Sequence, residues 1–473
     1  MSNAYLSRTT GTPTQQNTWT WSAWVKFSDD NKVGATDSTL LSEYYNAGSY
    51  TKYERIANNT LRYGTGVSGQ GSFVTNRRFS DLNAWYHLVI VNDWSNSTTA
   101  DRIKLYVNGV RETSFASFVA PSSGSSRING DSEALRIGAK NGSLFFDGIM
   151  SHVHFIDGTA YDASAFGETD ATTGEWKIKT SPSVTYGNNG FFILKDGNSV
   201  TDQSGEGNDF TAVNSLTKTE DSPSNVFNTM NPLNIDYANT ETNYGAGNTM
   251  LLPTADGAYN YGMSTIAMSK GNGKYYFEMK YYPWDYVETA VGIVNMDYAS
   301  DIFYQNRQII TAANNTEIGR VLVTSDGHAI TSGTANSSYG FGGWSSGDII
   351  CMACDMENGA FYFRKNGGSW ANSGDPTSGA TKTGAIDISS TSAWTESSHW
   401  GIWCGDNSTG GSNRLSFNFG NGNFPYIVSG GGASATFGAN AVGDAGTNAS
   451  GNGIFEEDVP TGYTALSTKG LNL

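Results

Sequence analysis

Hydrophobic and polar positions fall into two matching arrangements, one in each half of the chain. In the first, Trp85–Val91 is apolar on both faces, the pattern of a strand buried in the middle of a sheet. A polar turn of Asn, Ser, Thr and Asp follows. Arg102–Val107 then alternates, with Ile103, Leu105 and Val107 on one side and Arg102, Lys104 and Tyr106 on the other, which predicts a half-buried strand. Asn108-Gly109 closes it, a dipeptide suited to positive φ in a tight turn. In the second arrangement Asp348–Cys354 is the apolar strand, Asp355–Gly359 the turn, Ala360–Lys365 the returning strand and Asn366-Gly367 the next turn. Trp85, Val89, Ile103, Leu105 and Val107 are expected in a core.

Further strands are predicted at Trp19–Phe27, where Trp19, Trp21, Ala23, Val25 and Phe27 share a face, and at Leu40–Glu43, Leu61–Tyr63, Ser72–Thr75, Leu135–Gly138 and Phe145–Ile156. In the second half they are predicted at Gly273–Lys280, Ala290–Val294 and Leu415–Gly420. No long segment has a helical period of 3.6. The fold class is therefore all-β, with two antiparallel β-sandwich (jelly-roll) domains in tandem, residues 1–232 and 233–473. The link between them is expected at 225–240, around Pro232, where no strand period is strong. Ser429–Gly453, rich in Gly, Ala and Asn, reads as a flexible insertion in the second sandwich. The segment from Phe455 reads as that sandwich's last strand.

Composition narrows the function. Charged residues are 15% of the chain, against about 25% in an average domain. The chain is also rich in Gly, at 57, and in aromatics, at 13%, as short strands joined by many turns require. The net charge of −16 opposes binding to nucleic acid or to an anionic membrane. No apolar run reaches the length of a membrane span, and no basic and apolar leader opens the sequence. Three cysteines cannot build a disulfide framework. A protein made in a cytoplasm without an export signal, yet aromatic and polar like an extracellular one, is what a virion component would be.

Several motifs carry a resemblance. Ser22-Ala-Trp-Val-Lys26, Trp85–Val91, Ile103–Gly109 and Phe146–Val153 together resemble a laminin-G-like, concanavalin-A-like jelly roll. They are followed in fixed order by Phe155-Ile-Asp-Gly-Thr-Ala160, Phe166-Gly-Glu-Thr-Asp170 with Gly174-Glu-Trp176, Gly187-Asn-Asn-Gly-Phe-Phe192, Asp202–Phe210 and Asp221-Ser-Pro-Ser-Asn225. That order resembles structural proteins of tailed phages, notably marine ones. The resemblance covers about residues 4–232 and implies a virion location. From Asn234 the chain is similar to a SPRY domain, through Gly273-Lys-Tyr-Tyr-Phe-Glu278, Val291-Gly-Ile293, Gly347-Asp-Ile349 and the hairpin that ends in Lys365-Asn-Gly367. It departs from that pattern in the long polar segment 297–334, so no ligand carries over.

Candidate chemistry is sparse. Cys351 and Cys354 are three apart on a strand and so point to opposite faces, which rules out a shared metal there. His152 and His154 are two apart and are expected on one face of a strand. The Glu-x-Asp-x-x-Glu strand of jelly-roll glucanases is missing. No cofactor is expected. Calcium is the candidate ion, at Asp29, Asp30, Asn31 and Asp37 or in the Asp202–Asp209 loop, although Asx residues in such loops also simply make turns.

The feature best suited to a ligand is aromatic. Sugar rings stack on flat side chains while Asn and Asp read hydroxyls. Three groups are candidate glycan contacts: Tyr44, Tyr45, Tyr50 and Tyr53; Trp284, Asp285 and Tyr286; and Tyr339, Phe341 and Trp344. The expected function is that of a non-enzymatic phage virion protein, a tail fibre or other host-facing appendage binding surface polysaccharide. Its expected partners are other virion proteins and copies of itself. The alternatives are a decoration or connector that binds only virion proteins and, more weakly, a polysaccharide-degrading enzyme.

Overall fold

A computed structural model describes residues 4–28, 38–45, 49–64, 69–122, 126–195, 199–233, 242–253, 259–283, 289–297, 320–331, 334–336, 339–340, 342–407, 414–424, 440–442 and 446–472. The structure is all-β. Among the described residues its strands pair antiparallel except for Thr464–Ala465, which runs parallel to Lys274–Tyr282. Among the described residues the α-helical content is one short turn, Ser392–Glu396, and no helix is long and apolar enough to cross a membrane.

The chain divides into two compact units, residues 1–218 with 222–224, and residues 219–221 with 225–473. The division lies before the expected 232/233 boundary. Asn225, Phe227 and Met230 are buried in the second unit, because Phe227 and Met230 supply apolar surface to two of its clusters. The first part of the expected linker is thus core, and 234–240 lies outside the described residues.

In the first unit an eight-stranded sheet runs Phe115–Val119, Ser72–Arg78, Thr60–Gly64, Ser49–Ile56, Ser38–Tyr45, Ala134–Ile137, Tyr5–Thr9, Thr211–Val213. It faces a six-stranded sheet of Phe191–Ile193, Gly148–Asp157, Thr18–Phe27, Tyr86–Asp93, Ile103–Val107 and Val110–Arg111. Trp19, Trp21, Ala23, Val25 and Phe27 fill the space between them, joined by Leu88, Ile90, Ile103, Leu105 and Val107. Val89 and Val91 point the other way. There, residues beyond the sandwich cover the outer face of the six-stranded sheet with Ala163, Phe166 and Tyr186, which pack with Phe192 of the sheet itself. Thr18–Phe27 is consequently buried on both faces, whereas its alternation alone predicts one.

The second unit has the same two-sheet plan. One sheet runs Thr242–Gly245, Met250–Pro253, Arg414–Asn418, Lys274–Tyr282, Ile349–Asp355, Ala360–Lys365, Ile386–Asp387. The other runs Tyr259–Ser269, His399–Asn407, Thr289–Asn295, Arg320–Thr324, Ala329–Thr331, Thr334–Asn336. Cys354 lies in the cluster between the sheets and Cys351 in a second cluster with Tyr276, Tyr362 and the C-terminal Phe455, Val459 and Tyr463. The two sulfurs therefore occupy opposite faces. The end of the Gly-rich stretch is ordered by packing: Asn452 is fully buried and its Nδ2 donates to Thr464 Oγ1 at 2.8 Å and Ser467 Oγ at 3.2 Å. That part is not the flexible loop its composition predicts, and 425–439 and 443–445 lie outside the described residues.

Both hairpins singled out by pattern end in the same way. Asn108 and Gly109 have φ of 48° and 79°, Asn366 and Gly367 of 51° and 62°, the two positive values of a type I′ turn. Asn108 Oδ1 accepts the His87 N–H at 2.7 Å, and Asn366 Oδ1 accepts the Ile349 N–H at 2.7 Å. Each Asn N–H donates back to the same residue's carbonyl at 2.9 Å. The side chain thus closes the first rung of the ladder as well as permitting the turn.

Candidate functional site

Tyr53 and Tyr339, expected as glycan contacts, are core residues instead. Tyr53 is fully buried, packed edge-to-face on Trp21 with centroids 5.4 Å apart, and burial raises its phenol well above the ordinary range. The reason is strand parity. The ladder pairs Leu41 with Tyr53 but Tyr44 with Tyr50, and residues three apart lie on opposite faces. Tyr339 is buried too, its hydroxyl donating to the Gly384 carbonyl at 3.2 Å. Tyr44 is half-buried at the end of its strand. Trp344 is half-buried, edge-to-face on Tyr281 at 5.3 Å. The side chains of Tyr45 and Tyr50, and the whole of Trp284, Asp285, Tyr286 and Phe341, lie outside the described residues.

A further aromatic group was missed because its members are distant in sequence. Tyr5, on the first strand, meets Phe145 with centroids 6.1 Å apart and planes at 38°. Both rings are half-buried, beside the exposed turn Asn141-Gly142, whose Gly142 Cα region lies against the Tyr5 hydroxyl. The sequence signal was Asn141-Gly142 followed closely by Phe145-Phe146. The partner ring comes only from the pairing of Leu6 with Ile137.

The polar motifs after residue 156 are stitching. Asp157 is buried and accepts the N–H groups of Thr14 at 2.6 Å, Gln15 at 3.1 Å and Asn189 at 3.0 Å, and the Asn129 amide at 2.7 Å. Arg8 donates to the Asn189 carbonyl at 3.1 Å and to Asn208 Oδ1. Asp202 accepts from the N–H groups of Phe192, Ser204 and Asn208 at 2.8, 2.9 and 2.8 Å. Those bonds use the carboxylate oxygens that a calcium ion would need. The Asp202–Asp209 loop is thus a hydrogen-bonded turn, and Asp29, Asp30, Asn31 and Asp37 lie outside the described residues. Among the described residues no three His, Cys, Asp or Glu side chains gather as metal ligands do.

The two histidines stay neighbours across a bulge, and both rings meet Phe192, that of His152 at 5.7 Å. A bulge between Ser151 and His154 gives His152 a φ of 49°, and an inserted residue shifts strand parity. His152 Nδ1 bonds Ser151 Oγ at 2.8 Å, while His154 Nδ1 bonds Tyr186 Oη at 3.0 Å and its ring stacks on Phe192 at 4.0 Å. Burial holds His154 well below the ordinary imidazole range.

One constellation resembles a nucleophile with its base. Ser22 Oγ lies 2.9 Å from His87 Nε2. The other ring nitrogen, Nδ1, accepts the Trp176 indole N–H at 2.9 Å. Since Nδ1 accepts, the neutral ring carries its proton on Nε2 and donates to Ser22. A general base needs the reverse, a lone pair on Nε2 facing the hydroxyl. His87 is fully buried between Trp24, stacked at 4.8 Å, and Trp176 at 5.9 Å, and burial lowers its pKa to about 3. As folded, this pair is a packing device. Trp176 reaches it by lying on two glycines, and a Cβ at Gly109 or Gly167 would come within 2.5 Å of the indole.

Each unit also has a glutamate with no exposed surface, Glu43 or Glu278, that receives two successive backbone N–H groups. Glu43 accepts from Asn129 at 2.8 Å and Gly130 at 2.5 Å, and burial raises its pKa to about 8 against those bonds. Glu278 accepts from Glu456 at 3.0 Å and Glu457 at 2.8 Å, and from Tyr276 Oη and Asn418 Nδ2, both at 3.1 Å. Burial raises it to about 7.

Residues 1–164 match the concanavalin A-like lectin/glucanases superfamily, so the first sandwich has a lectin-like fold. No curated protein matches the chain. Among solved structures, the SPRY domain of human HERC1 is similar at 13% identity over 36% of this chain and 87% of its own, with a TM-score of 0.26. A candidate carbohydrate binding protein from Bacteroides ovatus is similar at 19% identity over 47% of this chain and 59% of its own, with a TM-score of 0.31. The LG1-3 region of the laminin alpha2 chain is similar at 8% identity over 92% of this chain and 62% of its own, with a TM-score of 0.24.

Proposed function

We propose that this chain is a non-enzymatic virion component of a tailed phage, in a tail fibre or other host-facing appendage, and that loops of its sandwiches bind cell-surface glycans. The observation that carries the glycan reading is that the first sandwich leaves aromatics half-exposed at two separate places, Tyr44 and the Tyr5–Phe145 pair beside Asn141, on a lectin-like fold. Rings of this kind offer flat faces to sugar C–H groups, and an exposed carboxamide offers both a donor and an acceptor to hydroxyls. The inverted polarity of the Ser22–His87 pair supports binding over hydrolysis. The virion reading rests on the ordered segments from Phe155 to Asn225, which resemble phage structural proteins, and the stitching they perform is consistent with a rigid particle part.

A single shallow sugar site binds near millimolar, about −4 kcal/mol, so adhesion requires several copies on one particle. Homo-oligomers or repeated placement on the virion are therefore expected. The test combines a glycan array on the isolated chain with alanine substitution of Tyr5, Tyr44, Phe145 and Trp344 in the particle. Array binding and host adsorption should both fall while assembly remains normal. Unchanged adsorption by normally assembled particles would remove these rings from host contact and favour a connector that binds only virion proteins. Absence of the chain from purified particles, by peptide mass spectrometry, would end the virion reading.

A further inference from the structure

We infer that Asn141, and more slowly Asn272, are sites of spontaneous deamidation, and that the fold protects the other Asn-Gly pairs of the chain. Those others are Asn108, Asn129, Asn189, Asn358, Asn366, Asn421 and Asn452, each followed by Gly. The reaction needs two free groups. The backbone nitrogen of the glycine attacks Cγ of the asparagine side chain. A new N–Cγ bond forms, the Cγ–Nδ2 bond breaks, and ammonia leaves with the glycine's amide proton. Water then opens the succinimide at either carbonyl, giving aspartate or isoaspartate, with no oxidant or cofactor involved. Glycine favours the step because no side chain hinders its nitrogen.

Hydrogen bonds remove one or both groups at the seven protected pairs. The carboxamides of Asn108 and Asn366 each accept a strand N–H at 2.7 Å. At five pairs both groups are held. Gly130 N donates to Glu43 Oε1 while Asn129 Nδ2 donates to Asp157. Gly190 N donates to the Gly187 carbonyl while Asn189 bonds both backbone groups of Gly11. Gly359 N donates to the Asp355 carbonyl while Asn358 Nδ2 donates to the Asp355 carboxylate. Gly422 N donates to Asn418 Oδ1 while Asn421 Oδ1 accepts the Phe419 N–H. Gly453 N donates to Glu220 Oε2 while Asn452 bonds Thr464 and Ser467.

Asn141 and Asn272 differ on both counts. Each is exposed, and no described residue holds its carboxamide or the N–H of Gly142 or Gly273. The flanks of the first turn are pinned, Lys140 N to Ser143 O and Ser143 N to Lys140 O at 2.8 Å each, so its two central residues can move without disturbing the sandwich. The second turn is tighter, because the Gly273 carbonyl accepts the Met356 N–H at 3.1 Å and the Asn272 N–H donates to Ser269. Asn141 should therefore react first. Each conversion adds one negative charge to the −16 of the chain.

The experiment ages the full chain in mildly alkaline buffer at physiological temperature, with peptide mapping and isoaspartate labelling over time. A parallel sample is kept unfolded in urea. In the native chain, label should appear at Asn141, then at Asn272, with the other seven at least about tenfold slower, since ordinary hydrogen bonds must open before attack. In urea all the pairs should react at similar rates. Gly142→Ala should slow the Asn141 site alone. Native label spread evenly over all the pairs, or an inert Asn141 in a chain whose unfolded form reacts there, would overturn the inference.

Discussion

The two units use one plan and finish it differently. Each has an apolar strand, a returning strand and an Asn-Gly turn whose carboxamide bonds back to the start of the apolar strand. Each buries a glutamate beneath two successive N–H groups. The difference lies in the sheet that receives a third layer. In the first unit residues after the sandwich cover the six-stranded sheet with Phe166, Trp176 and Tyr186. In the second, Phe227 from its beginning and Phe455, Val459 and Tyr463 from its end cover the sheet that carries Lys274–Tyr282 and Ile349–Asp355. A sheet with two apolar faces has to be covered twice. The choice of covered sheet also decides which surface remains for a ligand. In the first unit it leaves Tyr44 and the Tyr5–Phe145 pair, at the rim and turns of the eight-stranded sheet, at least partly open.

The largest expected effect comes from breaking one unit alone. Val107→Asp places a carboxylate among Leu88 and its core neighbours and should cost about 4 kcal/mol or more. Denaturant unfolding should show the first unit's transition moved and the second's unchanged. If both move together, the two units do not unfold independently. Phe166→Ala and Phe455→Ala strip the third layer from one unit each, and both should cost about 3–5 kcal/mol, read from the transition of the unit concerned. A much smaller loss at either position would mean that its layer is ornamental there and that the parallel between the units fails.

Trp176→Phe keeps an aromatic ring but leaves His87 Nδ1 without its donor, an expected loss of about 1–3 kcal/mol. An NMR tautomer measurement should show Nε2–H in the wild type and a changed mixture in the variant. The smallest effect concerns pH. Glu43 is raised from 4.5 to about 8, so the native state holds a proton that the unfolded state has released. Its contribution is complete below pH 4.5 and is lost as pH rises through about 8. His87 runs the other way. Lowered from 6.5 to about 3, it costs stability as pH falls through that window. Glu43→Gln should remove this group's share of the fall in the first unit's stability between pH 4.5 and about 8. An unaltered slope across that window would show that Glu43 is not the group responsible.

Much of this architecture was legible from local pattern. Strict alternation placed Ile103, Leu105 and Val107 in the core, and Asn108-Gly109 and Asn366-Gly367 announced tight turns, because strand parity and positive φ are properties of a few adjacent residues. Parity likewise sent Cys351 and Cys354 to different faces. What depended on contacts between distant residues was not legible. Tyr53 reads like Tyr44 in sequence and is separated from it only by the pairing of its strand with Leu41. The bulge at His152 broke a parity that regular alternation implies. The segments from Phe166 to Phe210 read as motifs without chemistry, and only the folded chain placed Trp176 over His87 and Asp202 under its own loop. Tyr5 and Phe145 met because two strands paired, and no local rule contains that encounter. A residue's own conformational preference is written beside it in the sequence, whereas its burial is set by whatever the rest of the chain brings against it.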